Sequence, residues 1–157
     1  MGKRNVRFIV VMLVCVLLSG MPSALASSVK PDANGAYHPT IYINGEKQDL
    51  TGTIPPSGST LVPFRAFFTA LDVEPQFDNS TKTLTAKSGD ITITLTAGTK
   101  IAALNGKKVT LLQSPVIDEG VIYVNLRFIA ESFGGIVKFD QDTLTIYINF
   151  PIAESIN

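Results

Sequence analysis

The sequence predicts an α+β domain in which antiparallel β-hairpins and two short helices share one core. The first observation is an internal repeat: residues 61–78 and 123–140 follow one pattern without a gap, with Arg65 matching Arg127 at an offset of 62 residues. The second is that each copy joins a helical pattern to short strands and tight turns, as hairpin, helix, strand, strand. Strand-rich units with one helix each favour an α+β domain over a parallel α/β fold.

Each copy of the repeat contains a short amphipathic helix, because its apolar residues recur at the i, i+3, i+4, i+7 spacing of one helix face. These residues are Phe64, Phe67, Phe68 and Leu71 in the first copy and Leu126, Ile129, Ala130 and Phe133 in the second. We predict Pro63 at the first helical position and Asn125 as an N-cap. Gly134 and Gly135 are expected to end the second helix in a left-handed cap, whereas Asp72 predicts a looser end for the first.

Two Asn-Gly pairs predict hairpins. Asn44 and Asn105 each precede a glycine between apolar segments, which is the strongest short hairpin signal. Residues 91–96 alternate isoleucine or leucine with threonine and predict a half-buried strand. The Thr-Leu-Thr sequence at 83–85 returns at 143–145 with an offset of 60, so the turn before it is predicted to be two residues shorter in the second copy.

A strand is predicted after each helix, at residues 73–77 and 136–139. Asp78 and Asp140 follow these strands at equivalent positions of the repeat. The two carboxylates could face each other as the acids of a glycosidase do. The alternative is that each begins a turn, where an aspartate bonds its own backbone.

The N-terminal segment has the pattern of a secretory signal peptide. Three cations within the first seven residues precede an apolar run at 8–18, and Ala24 and Ala26 supply the small-x-small cleavage pattern. The run is shorter than the roughly 20 residues that span a bilayer. We therefore predict a signal peptide at residues 1–26, cleavage after Ala26, and an exported product with no membrane association.

The remaining chain is predicted to hold one domain. We expect a flexible leader at residues 27–39, a domain at 40–150 and a C-terminal tail at 151–157. Removing residues 1–26 leaves 10 Lys and Arg against 13 Asp and Glu, a formal charge of −3, and no cysteine. Because no basic stripe is present, nucleic acid is not expected as a partner. The core must carry the stability without disulfides.

Several motifs occur in a fixed order along the domain: Asn44-Gly45, residues 61–65, Phe77-Asp78, residues 81–85, Asn105-Gly106, residues 123–131 and Phe139-Asp140. In this order they resemble the family named after the N-terminal domain of copper amine oxidases, also called the stalk domain. The resemblance covers roughly residues 40–150. The chain departs from the family pattern with Phe77 and Phe139 in place of tryptophan, Asn125 in place of proline and Asp72 in place of glycine.

The resemblance implies a secreted or cell-envelope module of Gram-positive-type bacteria. It does not imply amine oxidation, since the oxidase chemistry resides in a separate large domain with three copper-ligating histidines and a quinone formed from the tyrosine of an Asn-Tyr-Asp sequence. This chain has His38 alone and no such sequence. A copper or zinc site needs several imidazole or thiolate ligands, so we expect no metal, no cofactor and a solvated His38.

Arg65 and Arg127 are the second pair of equivalent polar residues. They could contact an anion or a polymer near the starts of the helices. A cation is unfavourable at that end of the helix dipole, so the alternative is that each has a carboxylate partner or packs its stem on the sheet. Arg127 has Glu131 at i+4, which favours the structural interpretation.

The sequence predicts a non-catalytic, exported module that binds a cell-wall polymer or an envelope protein. Two threonine-rich strand faces could present a flat polar surface to a glycan, or could simply be exposed to solvent: Thr92, Thr94 and Thr96 in one, Thr145, Tyr147 and Asn149 in the other. A secreted hydrolase that uses Asp78 or Asp140 is one alternative function. A purely structural spacer is another.

Overall fold

The computed structural model describes residues 29–151, which form twelve strands and two helices. The first half contains β1 (Thr40–Ile43), β2 (Glu46–Lys47), β3 (Leu61–Pro63), α1 (Phe64–Ala70), β4 (Gln76–Asp78), β5 (Thr83–Ser88) and β6 (Ile91–Thr96). The second half contains β7 (Ile101–Leu104), β8 (Lys107–Thr110), β9 (Val116–Asp118), β10 (Val121–Asn125), α2 (Leu126–Ser132), β11 (Ile136–Asp140) and β12 (Thr145–Asn149). The predicted signal peptide and the tail after Pro151 lie outside the described residues.

The strands form three sheets, with strand orders β4-β5-β6-β7-β8, β11-β12-β1-β2 and β3-β10-β9. Every pair is antiparallel except β1 and β12, which are parallel. The α+β prediction is confirmed. The parallel pair joins the first strand of the domain to the last.

One hydrophobic core lies between the inner faces of the sheets and the two helices. The four-stranded sheet contributes Ile41, Ile43, Ile146 and Ile148, and the five-stranded sheet contributes Leu84, Ala86, Ile93, Leu95 and Ala102. Phe68 of α1 is fully buried and meets the Phe133 ring edge-on, with centroids 6.0 Å apart. The two predicted helix regions therefore share a core, as expected.

Both helices end in the same backbone arrangement. In α1 the Val73 N–H donates to Phe68 O and the Asp72 N–H to Thr69 O, which is the pattern of a Schellman motif. In α2 the Gly135 N–H donates to Ala130 O and the Gly134 N–H to Glu131 O. Asp72 (φ 54°) and Gly134 (φ 84°) both adopt the left-handed conformation. The prediction for Gly134 is confirmed. The looser end predicted for the first helix is wrong, because Asp72 adopts the same conformation despite its side chain.

The two helices begin at equivalent positions, Phe64 and Leu126, so the predicted difference in the first helical position is wrong, and the starts differ only in their capping. The Asn125 side-chain oxygen accepts the Phe128 N–H at 2.9 Å, so the predicted N-cap is confirmed. Pro63 is not the first helical residue. It precedes α1 in an extended conformation without a side-chain cap, and it pairs with Tyr123 in the three-stranded sheet.

The turns after β4 and β11 correct one prediction. They span residues 79–82 and 141–144, so both have four residues, and the prediction of a shorter second turn is wrong. The error arose from aligning Thr83 with Thr143. In the structure Thr83 corresponds to Thr145, which makes the same local hydrogen bond. The hydroxyls of Thr83 and Thr145 each donate to the carbonyl two residues earlier.

The internal repeat itself stays a prediction from the sequence, and the structure shows where its halves diverge. The strand predicted at 73–77 is shorter and later, at Gln76–Asp78, because Val73 takes part in the helix cap. Strand β6 separates β5 from β7, whereas β12 pairs with β1 directly. Strand β9 was not predicted; it pairs with β10 through a turn at Glu119 and Gly120, both with positive φ.

The segment predicted as a flexible leader contacts the domain along the part that the structure describes. Ala36 is buried, and Tyr37 forms a two-way backbone bridge with Ile54. The Asp32 carboxylate accepts the N–H groups of Asn34 and Ala36 and organises the loop between them. These contacts extend the packed part of the chain before residue 40.

Candidate functional site

Asp78 and Asp140 each end a strand and hold the turn that follows it. The Asp78 Oδ1 accepts hydrogen bonds from the Ser80 N–H at 2.8 Å and from the Ser80 hydroxyl at 2.6 Å. The Asp140 Oδ1 accepts the N–H groups of Asp142 at 2.9 Å and Thr143 at 3.2 Å. These are bonds that an aspartate makes to its own turn.

The same bonds lower the pKa of both carboxyl groups, because they stabilise the ionised form. The Ser80 hydroxyl and N–H, followed by Thr81, lower the pKa of Asp78 to about 2. The Thr143 N–H and hydroxyl lower the pKa of Asp140. A glycosidase acid needs a raised pKa and a second carboxylate across the scissile bond. Asp78 ends a strand of the five-stranded sheet and Asp140 a strand of the four-stranded sheet, so these pKa values and positions do not favour acid catalysis.

Arg65 is exposed on α1 and has an aromatic partner. Its guanidinium carbon lies 5.2 Å from the centroid of the Phe64 ring, within the range of a cation–π contact. It borders an open groove together with Thr69, Asp72 and Glu74. The salt bridges found within residues 29–151 do not include it. Arg65 therefore packs on the ring of its neighbour while its charge faces solvent.

Arg127 is bound on two sides. Its Nη1 donates to Glu131 Oε1 at 3.0 Å and to the Val137 carbonyl oxygen at 3.2 Å. The first contact is an i,i+4 ion pair with both side chains about half exposed, and the second joins α2 to β11. Arg127 thus links helix and sheet, whereas Arg65 does not, so the two equivalent arginines have different surroundings.

A cleft of about 140 Å³ opens beside Arg127. Its lining includes Gly58 and Ser59 from the loop before β3, together with Leu112 and Phe139. Leu112 is 79% exposed and Phe139 40%. The volume is below the roughly 300 Å³ of common small-molecule pockets, so the cleft does not have the size of a substrate pocket.

His38 lies in the contacts of the leader. Its Nε2 is 2.9 Å from the Asp32 carboxylate and its Nδ1 is 3.2 Å from the Gly52 carbonyl oxygen. Hydrogen bonds from Ala36, then from His38 and Asn34, lower the pKa of Asp32. Within residues 29–151 no cluster of three or more His, Cys, Asp or Glu is suited to hold a metal ion. In the same part of the chain, neither helix is long and apolar enough to cross a membrane.

The outer face of the four-stranded sheet carries two stacked tyrosines. Tyr42 on β1 and Tyr147 on β12 are partners in the parallel pair. Their ring centroids are 5.4 Å apart and their planes differ by 24°. Tyr147 is 39% exposed and Tyr42 is half-buried. Since the residues that alternate with them point into the core, the rings form an aromatic surface toward solvent.

Lysines extend this surface on both sides. Lys138 on β11 pairs with Tyr147, and Lys47 on β2 pairs with Tyr42. The four side chains form a line across four strands, which we call the tyrosine–lysine row. With strands about 4.8 Å apart, the row spans roughly 14 Å between its outer Cα atoms. Both lysines are exposed, and neither belongs to a salt bridge found in the described part of the chain.

The outer face of the five-stranded sheet has a different composition. Thr92, Thr94 and Thr96 are half-buried along β6, as the alternating pattern predicted. The hydroxyls of Thr83 and Thr96 bond each other at 3.0 Å. Lys87 on β5 pairs with Thr92, and Lys108 on the edge strand β8 pairs with Ala103. This surface is polar, and its β6 strand presents threonines in place of aromatic rings.

One residue of the tyrosine–lysine row, Tyr147, could be found from the sequence, and the other three could not. Tyr147 stands in an alternating strand, so its exposure was predictable. Tyr42, Lys47 and Lys138 were not singled out. Lys138 reaches Tyr147 through the β11–β12 hairpin, whereas Tyr42 and Lys47 reach it only through the parallel pairing of β1 with β12. No local signal identifies that pairing, since the two strands are the first and the last of the domain in sequence order.

A comparison with protein families identifies the scaffold that holds these residues. The sequence model of the copper amine oxidase N-terminal domain matches residues 42–148. The chain belongs to this family. A search of curated proteins finds no match.

The copper amine oxidase N-terminal domain is a non-catalytic domain, and the matched segment includes all four residues predicted as candidates, Arg65, Arg127, Asp78 and Asp140, as well as Tyr42 and Tyr147. The two phenylalanines that replace the tryptophan expected from the resemblance have different surroundings. Phe77 packs on the Phe64 ring with centroids 6.3 Å apart. Phe139 instead lines the cleft beside Arg127. The copper amine oxidase N-terminal domain here thus retains one aromatic position in the core and one at the surface.

Proposed function

We propose that this protein is an exported, non-catalytic module that binds a polymer of the cell wall through the outer face of its four-stranded sheet. The observation that supports the proposal is the stacked pair of Tyr42 and Tyr147, with Tyr147 39% exposed on the outer face of the sheet. Export follows from the signal peptide predicted at residues 1–26. A cell-envelope module is also what the family resemblance implies.

An open aromatic surface suits a polysaccharide better than a small molecule. Small ligands bind in concave pockets that enclose most of their surface, and the tyrosine–lysine row is open to solvent. An extended polymer gains affinity by contacting several residues along its length and by engaging many copies of its repeating unit. The parts of the stacked tyrosine rings that do not face each other supply apolar area for sugar rings. Their hydroxyls, with the exposed Asn149 nearby on β12, can exchange hydrogen bonds with sugar hydroxyls.

Co-sedimentation with purified cell wall tests the proposal. The wild-type protein is expected in the pellet, and Tyr147→Thr is expected to reduce the bound fraction while keeping the β-propensity of the strand. Tyr123→Thr is the matched control, because Tyr123 is another partly exposed strand tyrosine, on β10. The proposal fails if the wild-type protein stays in the supernatant, or if the two variants lose binding equally.

The same preparation separates the alternative functions. A hydrolase would release soluble sugar fragments from the wall over time, and Asp78→Asn with Asp140→Asn would abolish the release. A module that binds an envelope protein would sediment with crude envelopes and not with wall cleared of protein. The proposed function predicts no release and binding to the protein-free wall.

A further inference from the structure

We infer that the polymer bound by this face is an anionic polysaccharide, whose negative groups lie on either side of a sugar unit and contact Lys47 and Lys138. The inference rests on the proposed function, and it adds the chemical class of the ligand. It follows from the order of the tyrosine–lysine row, in which a cation stands at each end of an aromatic pair.

The two lysines are available to a ligand. Each is exposed, and the salt bridges in residues 29–151 are formed by His38 with Asp32 and by Arg127 with Glu131. An ammonium group on a flexible stem adapts to a phosphate or carboxylate as a point charge. Lys47 and Lys138 therefore offer two positive charges that the protein does not use internally.

Asp140 lies on the same face of β11 as Lys138, two residues away, and carries a negative charge. Its Oδ1 is engaged by the backbone of its own turn, and it pairs with Thr145, outside the tyrosine–lysine row. Glu46 adjoins Lys47 on β2 but pairs with Ile43, whose side chain points to the core. The alternation of strand side chains places Glu46 on the opposite face from Lys47, so the row itself carries two cations.

The geometry also gives the direction of the ligand. The row runs across the strands, and its ends are roughly 14 Å apart at the Cα atoms. A polymer that contacts both lysines must cross β11, β12, β1 and β2 in that order. One or two sugar rings then lie over the tyrosine pair, and the flanking anionic groups meet the lysines.

The test compares wall preparations that differ in their anionic groups. Intact purified wall is compared with wall stripped of its phosphodiester-linked polymers, with a bead-coupled polyuronate as a carboxylate source and with insoluble cellulose as a neutral glycan. The lysine variant is Lys47→Gln with Lys138→Gln. The matched control is Lys87→Gln with Lys108→Gln, which removes the same charge from the other large sheet.

The inference predicts that the Lys47/Lys138 variant binds an anionic support about tenfold more weakly than the wild type, because it loses two exposed charge contacts. The control variant keeps wild-type binding. Lysine-dependent binding to either anionic support sustains the inference, and the support concerned identifies the anionic group as phosphodiester or carboxylate.

Two results would overturn the inference while leaving the proposed function intact. One is equal binding of the wild type and the Lys47/Lys138 variant to both anionic supports. The other is an equal loss in the Lys87/Lys108 control, which would indicate a general charge effect. If no wall preparation or glycan retains the wild-type protein, the proposed function fails as well, so the two failures are distinguishable.

Discussion

Asn105 exchanges two hydrogen bonds with Thr92 across β6 and β7: its N–H donates to Thr92 O at 2.8 Å, and its side-chain Oδ1 accepts the Thr92 N–H at 2.7 Å. An antiparallel pair normally uses the backbone carbonyl as this second acceptor. The side-chain oxygen replaces it at the hairpin turn. Asn44 does the same in the parallel pair, where its N–H donates to Ile148 O and its Oδ1 accepts the Phe150 N–H.

This relationship predicts a specific effect of Asn105→Ala. The substitution removes the acceptor for the Thr92 N–H and places alanine at φ 50°, so the free energy of unfolding should fall by about 2 kcal/mol. Asn105→Asp is the control, because it keeps both the oxygen and the tolerance for positive φ. Urea unfolding measures the difference. Equal stability of the two variants would show that the side-chain bond is unimportant.

The cap of α1 predicts a stabilising substitution. Asp72 and Gly134 occupy the same position of two Schellman motifs, with φ of 54° and 84°. Asp72→Gly should raise the free energy of unfolding by about 0.5–1 kcal/mol, because glycine has no Cβ strain in this region.

Gly134→Asp is the reciprocal change and should lower the stability by a similar amount. An added Cβ at Gly134 has no atom within 4 Å, so the effect reports backbone conformation alone. Thermal or urea unfolding of Asp72→Gly and Gly134→Asp measures both changes in stability. A destabilising Asp72→Gly would contradict the account of the helix ends.

The free energy of unfolding should decrease at low pH in part because Asp78 becomes protonated. The hydrogen bonds from Ser80 lower its pKa to about 2 in the folded state, below the value near 4 of an unfolded chain. A lowered folded pKa stabilises the protein above the unfolded pKa, and this stabilisation is lost as the pH falls from about 4 to 2. Asp78→Asn should reduce the loss of stability in that window.

The unfolding midpoints of the wild type and of Asp78→Asn, measured at several pH values, test this prediction. Asp118→Asn is a control, since the hydrogen bonds found in the described chain include none to its carboxylate. An acid profile of Asp78→Asn that matches the wild type across this window would be inconsistent with the turn bonds of Asp78.

Contact between the two helix regions predicts energetic coupling. The rings of Phe68 and Phe133 meet edge-on with centroids 6.0 Å apart, and such pairs contribute about 0.5–1.5 kcal/mol beyond area burial. A double-mutant cycle with Phe68→Leu and Phe133→Leu should show coupling of that size. Phe77 packs on Phe64 in a tilted arrangement instead, so the cycle of Phe77 with Phe133 should be additive. Additivity in both cycles would contradict a shared core.

The sequence predicted local structure well where the signal is local. Helix faces, the Asn125 cap, the Gly134 end and both Asn-Gly turns follow from residues within a few positions of each other. The first helix was predicted to begin at Pro63, one residue too early, because the fixed φ of proline also suits the extended residue before a helix. The turn after β11 was misjudged because a three-residue match outweighed the constant offset of 62.

Pairing between distant strands was harder to predict. An alternating pattern states which side of a strand is buried, but not which strand lies beside it. The parallel contact of β1 with β12, and therefore the tyrosine–lysine row, depends on residues about 100 positions apart. Among the candidate residues, Asp78 and Asp140 bond their own turns, and Arg127 has the partner that its i+4 glutamate indicated.

Binding at the tyrosine–lysine row is tested most directly by an NMR titration of the isotopically labelled protein with soluble fragments of purified cell wall. Chemical-shift changes are expected to centre on the amides of β1, β11 and β12, around Tyr42, Lys138 and Tyr147, and to be lost in Tyr147→Thr. Changes centred on the cleft beside Leu112 and Phe139, or no changes at saturating fragment concentration, would contradict binding at the tyrosine–lysine row.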